Sequence, residues 1–303
     1  MLYIYMQVFY NGYRFTEEIK MDEKEFLKNY DITKYDRPSI AADIVLFTLG
    51  NSVSNAKKVN IGPLQILLIK RASHPYKDNW ALPGGFFKEG ETIEETAVRE
   101  LYEETNVSNA YLENIKTFSE NGRDPRGWIV SNAFIGAINK SDCNLRADSD
   151  AWEAKWFDIS LKKDNSDTYN TKYNLTLVSE DDMDKLNATI ECNKSIEKGR
   201  VKRQWNILSS DNLAFDHSLI ITELLYKLKD SINNDIRLLF EFVPELFTIG
   251  QLEGAYKSIY GIENSVPNFR RSIEKYVIET DMWAEKTSYR PAKLYKKNYE
   301  KFL

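Results

Sequence analysis

The sequence predicts an α+β protein in two domains, a mixed sheet packed against helices followed by a winged helix-turn-helix. Three observations carry that expectation. Short apolar runs bounded by polar loops alternate with one strongly amphipathic helix in the first half; a glycine is followed at fixed intervals by acids and one arginine between Gly85 and Val107; and the C-terminal ninety or so residues read helix, turn, helix, strand, strand. The expected organisation is an N-terminal extension over 1–36, a first domain over 37–160, an insert or linker over 161–211 and a winged-helix domain over 212–303.

In chain order, the apolar opening MLYIYMQVFYNGYRF reads as a strand, because it lacks the basic leader and small-residue cleavage site of a secretory signal. Asp43–Phe47 reads as a central strand, Gln65–Lys70 as its neighbour, and Tyr111–Phe118, Trp128–Ile138 and Trp152–Phe157 as further strands. Between them, Ile93, Ala97, Val98 and Leu101 recur at helical spacing and are expected to face a core. In the insert, Tyr173–Val178 and Val201–Leu208 alternate and could add a hairpin to the sheet. Leu219, Ile220, Leu224, Leu225 and Leu228 then share one helical face. Thr248 is a plausible N-cap for a helix over Ile249–Tyr260, Gly261 stops it, and a second helix is expected over Asn268–Glu279. Met282–Lys286 and Ala292–Lys296 read as strands joined by a wing at Thr287–Pro291.

Composition narrows the function classes. At 303 residues, 42% hydrophobic and 29% charged, the chain can bury one large core or two ordinary ones. No run of eighteen apolar residues exists, so no membrane span and no membrane partner are expected. Two cysteines cannot frame a disulfide-rich fold, and with only His74 and His217 beside them they make no zinc constellation; a reducing cytoplasm is the expected setting. The net charge of −5 argues against a protein that coats nucleic acid generally. From Arg270 to the end, however, nine Lys or Arg face five Asp or Glu, a surplus that suits a phosphate-binding face.

On a helix, Glu100, Glu103 and Glu104 lie at i, i+3 and i+4 and can converge on one point. Converging carboxylates repel unless a hard cation sits among them, and magnesium is the expected tenant, with manganese the alternative. The bland alternative is a solvated acidic helix. Against it, the segment resembles the Nudix box, G-x5-E-x7-R-E-U-x-E-E-x-G-U, at Gly85, Glu91, Arg99, Glu100, Leu101, Glu103, Glu104 and Val107, departing only at Asn106, where the family has glycine. Asparagine tolerates the left-handed region better than most residues, so the helix stop is expected to survive.

The resemblance implies a Nudix α/β/α sandwich with a mixed sheet. It implies that Glu100, Glu103 and Glu104 carry the metal, that Glu91 and Arg99 form an ion pair fixing the loop to the helix, and that Gly84 and Gly85 let the backbone approach a ligand. Further strings, Leu213–His217, Phe247-Thr248 with Gln251-Leu252 and Tyr256, Asn268–Arg271, and Arg290–Ala292 with Leu294-Tyr295, resemble the Nudix-related transcriptional regulators, in which a Nudix-like domain is fused to a winged helix that binds operator DNA. That resemblance implies base or phosphate contacts by Asn268, Arg270, Arg271 and Arg290, and a homodimer on a palindromic site.

Several residues keep two readings. Arg123 and Arg126 could grip a phosphate or ribose, or pair structurally with Asp124 or Glu120; Asp216 reads as a helix cap beside a packed His217, although His217 could be a ligand or base. One of Phe86, Phe87, Phe118 and Trp128 could stack on a base, and Glu120 and Glu153 are candidates for a general base that the sequence does not assign. The resemblance implies two functions: a magnesium-dependent hydrolase of ADP-ribose or another nucleoside diphosphate derivative, and a regulator of NAD or sugar metabolism whose Nudix domain senses a nucleotide or sugar effector. The alternatives are a catalytically silent sensor-repressor, or a pure hydrolase whose C-terminal domain only dimerises.

Overall fold

The computed structural model describes residues 4–10, 13–19, 22–51, 62–146, 151–284 and 291–302. Met1–Pro38 and Ser39–Leu303 form two compact units. In the first, the N-terminal run expected as one strand is an antiparallel hairpin of β1 (Ile4–Tyr10) and β2 (Tyr13–Ile19), followed by the short helix α1 (Glu23–Asn29).

The second unit runs β3 (Ser39–Leu49), β4 (Leu64–Arg71), β5 (Trp80–Ala81), β6 (Gly84–Phe86), α2 (Ile93–Thr105), β7 (Tyr111–Phe118) and β8 (Ile129–Ala137). It continues with β9 (Ala151–Ser166), β10 (Asn170–Ser179), β11 (Lys185–Glu197), β12 (Arg200–Ser210) and α3 (His217–Asn234). The last elements are α4 (Ile249–Tyr260), α5 (Phe269–Ile273), β13 (Val277–Trp283) and β14 (Lys293–Lys297).

Among the described residues one mixed sheet has the order β12-β11-β10-β9-β4-β3-β8-β7, with β5 and β6 paired to β4 and β3. β3 and β8 are parallel, in register from Ser39↔Ile129 to Phe47↔Ala137, while the other pairs are antiparallel. Because successive side chains of a strand point to opposite faces, β3 serves two cores. Ala42, Ile44 and Leu46 pack with Ala97 and Leu101 of α2, and Val45, Phe47 and Leu49 pack on the side that holds α3. This is the expected sandwich. The insert extends it with three strands, since β9 runs through the boundary expected near residue 160 and β11 adds a strand beyond the expected hairpin.

α3 buries Ile220, Ile221, Leu224, Leu225 and Leu228 against the sheet, and the same apolar core continues through Phe240 and Phe247 into Leu252, Ala255, Phe269 and Ile273 of the winged helix. α4 begins at a capping box in which Thr248 Oγ1 accepts from Gln251 N and Gln251 Oε1 accepts from Thr248 N; it ends at Gly261 in the left-handed region. The second helix is shorter than expected. α5 ends at Ile273, a 3-10 turn covers Glu274–Tyr276, and β13 begins at Val277, because Val277 and Ile278 pair with Lys297 and Lys296 of β14. Cross-strand pairing of β-branched residues overrides a helical pattern here. Arg290 and most of the expected wing lie outside the described residues. No described helix is long and apolar enough to cross a membrane.

Candidate functional site

The site is built on α2 and on the glycine pair before it. Thr92 caps α2 reciprocally with Glu95, and Asn106 closes it at φ 58°, doing what the missing glycine would do. Ala97 and Leu101 face the core as expected, but Val98 is 56% exposed, since it lies on the opposite side of the helix from the sheet. Gly84 has φ +155°, and a Cβ there would stand 2.1 Å from the Ala42 carbonyl oxygen; a Cβ on Gly85 would stand 2.5 Å from the Glu100 carboxyl carbon. Only glycines allow β6 to lie this close to both β3 and α2.

Arg99 organises the acids. Its Nε and one terminal nitrogen donate to both oxygens of Glu91 (2.6 and 3.0 Å), and its other terminal nitrogen donates to Glu100 (2.5 Å) and Glu103 (3.1 Å). The hydrogen bonds from Arg99 hold the Glu91 carboxyl down at about 2, against a smaller opposing effect of burial. Glu104 turns the other way and accepts from Gly84 N at 2.8 Å. Burial pushes its pKa up to about 8; the Gly84 N–H opposes the rise, while the charges of Glu100 and Asp43 add to it. As they stand, the three glutamates do not meet at one point, and among the described residues no three of His, Cys, Asp and Glu are close enough together to hold an ion. The reason is that Arg99 draws Glu100 and Glu103 to itself while the β6 backbone holds Glu104.

All three nonetheless line one cavity of about 440 Å³, with Arg71 and Arg126 also in its walls. Arg126 bears out its structural reading and also lines the cavity. It pairs with Asp124 (2.7 Å), and its guanidinium lies 5.0 Å from the Phe86 ring and 5.1 Å from the Phe215 ring. Arg123 fits neither of its readings. Its side chain is only 6% exposed, it does not line the cavity, and it makes a two-pronged pair with Asp216 (2.9 and 2.7 Å) and approaches Asp43 at 3.5 Å. Asp216 therefore spends its carboxylate on Arg123 and makes no side-chain cap on α3. Beside it, buried His217 accepts a hydrogen bond at Nδ1 from Leu82 N (2.9 Å), and burial holds its pKa below the usual histidine value.

Of the aromatic candidates, Phe86 lines the cavity, Phe118 is core, and Phe87 and Trp128 are exposed away from it. Glu120 and Glu153 also lie outside the cavity wall; Glu153 pairs with Lys155 at 2.8 Å. Sequence reasoning missed Arg71, one residue past the strand read as Gln65–Lys70, and Phe215, inside a string noted only for its resemblance. A second cavity of about 460 Å³ between β7 and α3 carries none of the box residues; burial, then Glu113, raises Tyr111 there to about 12.

In the winged helix, Arg270 and Arg271 are exposed on α5, with Arg270 donating to the Tyr295 hydroxyl at 3.1 Å, and Asn268 sits at φ 59° as the helix begins.

The Nudix domain family matches residues 55–172, and the NrtR DNA-binding winged helix domain matches residues 239–296. Over 144 residues, 46% of this chain and 76% of the relative, the sequence is 37% identical to an ADP-ribose pyrophosphatase of Methanocaldococcus jannaschii. The chain belongs to the Nudix family. This Nudix protein is also 28% identical over 281 residues to the ADPR responsive transcriptional repressor NtrR of Acinetobacter baylyi, covering 90% of this chain and 88% of the repressor. A MutT/nudix family protein from Enterococcus faecalis superposes with a TM-score of 0.64 at 26% identity, over 92% of this chain and 95% of that one. NrtR of Shewanella oneidensis has the same fold, with a TM-score of 0.55 at 24% identity over 86% and 94% of the two chains. The Nudix protein is thus homologous along most of its length to a regulator that joins the same two domains.

Proposed function

We propose that this Nudix protein is a cytoplasmic, homodimeric transcriptional regulator whose Nudix domain binds ADP-ribose or a closely related nucleoside diphosphate derivative and whose winged helix binds operator DNA. The observation that carries the reading is the cavity itself, in which Arg71 and Arg126 share walls with Glu100, Glu103 and Glu104, in a chain that also carries the winged helix. A diphosphate needs cationic partners on its oxygens, and planar guanidinium groups suit phosphate geometry.

The all-oxygen set Glu100, Glu103 and Glu104 fits a hard divalent cation such as magnesium, which would favour the charged form of Glu104 against the burial that raises its pKa and would offset the neighbouring charges of Glu100 and Asp43. When bound, the ion supplies positive charge against the phosphate oxygens. Around it, Arg99 orients Glu100 and Glu103, Gly84 and Gly85 bring the β6 backbone to the ligand, and Phe86, 39% exposed at the cavity wall, offers a ring face to a base. In the winged helix, Arg270 and Arg271 would meet DNA phosphates or guanine edges, with Asn268 at the start of the same helix, and Arg290, expected from the sequence as a wing residue, would add a further contact.

The intact set of box acids favours a second reading in the same site, hydrolysis of the bound diphosphate to AMP. The test is calorimetric titration of the full-length protein with ADP-ribose, NAD, ADP-glucose and free pentoses, with and without magnesium, followed by assay for AMP. Binding of a nucleoside diphosphate derivative that Arg126→Ala weakens at least tenfold supports the reading. Binding of pentoses alone, or of none of the panel, overturns it.

A further inference from the structure

Phe215 occupies an unusual position for a phenylalanine. Its backbone has φ +51°, in the left-handed region that a bulky side chain disfavours, and it persists there because its neighbours are fixed on both sides. Before it, Leu213 bridges to Trp80, with Trp80 N donating to Asn212 O (3.0 Å) and Ala214 N donating to Trp80 O (2.8 Å). After it, Asp216 is held by Arg123 and His217 by Leu82 N. The strain delivers one side chain, the Phe215 ring, into the wall of the cavity that holds the box glutamates.

There the ring meets both cavity arginines. The Arg71 guanidinium carbon lies 5.0 Å from its centroid and that of Arg126 5.1 Å, while Tyr76 packs on it at 4.8 Å and His217 at 5.3 Å. The backbone also helps fix Arg71, whose Nε donates to Pro75 O at 2.8 Å. Two guanidinium groups repel each other in a partly desolvated wall; one aromatic ring within reach of both attracts each and helps to set their separation. With a diphosphate ligand, that separation decides whether both can reach phosphate oxygens together.

We propose that Phe215 is a positioning residue for the phosphate-binding arginines, acting on the ligand through Arg71 and Arg126. The inference rests on the reading of the cavity as a nucleoside diphosphate site. It also places the phosphate grip under the control of the segment that opens α3, the helix whose core runs on into the winged helix.

The experiment is a double-mutant cycle on the full-length protein, read by calorimetric affinity for ADP-ribose and for adenosine, which lacks phosphate. Phe215→Leu should weaken ADP-ribose about tenfold and leave adenosine unchanged, because leucine keeps the apolar volume and loses the π face. Phe215→Tyr, which keeps the ring, should restore affinity to within about twofold of wild type. The decisive readout is coupling: in an Arg126→Ala background, Phe215→Leu should cost less than about threefold, since one guanidinium that the ring positions is gone. Full additivity of the two substitutions, or equal weakening of ADP-ribose and adenosine, would mean that the ring contacts the ligand itself or merely packs, and overturns the proposal. An unchanged Phe215→Leu affinity overturns it too, while leaving the site reading intact. Failure of the wild type to bind any nucleoside diphosphate derivative removes the site reading, and the proposal with it.

Discussion

Replacing Arg123 by methionine is expected to be among the most damaging single changes in this protein, although Arg123 touches no ligand. The guanidinium is 6% exposed and serves Asp216 and Asp43, whose side chains are 11% and 13% exposed. Arg123→Met preserves much of the volume but leaves two buried carboxylates with no cation. His217, 3.7 Å from Asp43, has its pKa lowered chiefly by burial and is a poor replacement for the guanidinium. Ser131 already donates to Asp43 at 2.5 Å, which compensates one carboxylate in part. Breaking a buried pair by removing one partner costs about 3–5 kcal/mol. At about 2–4 °C per kcal/mol for a unit of this size, the melting temperature should fall by roughly 6–20 °C. Urea denaturation at pH 7 gives the free energy and a thermal scan the temperature. The companion variant Arg123→Met with Asp216→Leu removes both charges and should recover part of the loss, since apolar replacement of a buried pair is often close to neutral. A loss below about 1 kcal/mol for Arg123→Met, or a double variant as unstable as the sum of the singles, would refute the buried-pair reasoning.

Three further outcomes are expected. Glu103→Gln should cut any diphosphate hydrolysis by about two orders of magnitude; because Glu103 is 45% exposed and, among the described residues, paired only with Arg99 and the distant Lys88, stability should change by less than about 1 kcal/mol. A Glu103→Gln protein with full hydrolytic rate would remove this residue from the metal set. The folded-state pKa of His217 lies below its unfolded value near 6.5, so the native state binds fewer protons. Stability should be fully present above about pH 6.5 and decline as pH falls below it, and His217→Gln should flatten that decline in melting curves from pH 8 to pH 5. Equal slopes in the two proteins would contradict it. Arg270→Ala with Arg271→Ala should abolish duplex binding while ADP-ribose affinity is unchanged, and wild-type binding should weaken steeply with salt; duplex affinity that survives the double change would move the DNA contact elsewhere.

What was legible in the sequence divides by the range of the interaction. α4 and the end of α2 follow from local chemistry: the Thr248–Gln251 box, and Asn106 and Gly261 in left-handed stops. The Glu91–Arg99 pair was expected from the resemblance to the Nudix box, and the loop and first turns of α2 make it within eight residues of chain. β11 was missed although Leu186, Ala188, Ile190 and Cys192 alternate inward, because alanine and cysteine make a weak apolar signal between polar neighbours. α5 was overextended because the helical pattern up to Glu279 cannot show that Val277 and Ile278 will pair with β14. At the site, spacing placed Glu100, Glu103 and Glu104 on one side of a helix, but Arg99 and the Gly84 N–H decide where each carboxylate points. The Arg123–Asp216 pair joins segments 93 residues apart in the chain and the Arg71–Phe215 contact joins segments further apart still, and only the sheet brings them together.

On the proposed function, a ligand in the cavity governs DNA binding by the winged helix. The most direct test is the affinity of the full-length protein for duplexes taken from upstream of its own gene, measured by fluorescence anisotropy at fixed salt with and without saturating ADP-ribose. Expected is a salt-sensitive complex with at least one such duplex, weakened by ADP-ribose at least fivefold in the wild type and unaffected by it in Arg126→Ala. Equal duplex affinity with and without the nucleotide, in a protein shown by calorimetry to bind it, would contradict the claim.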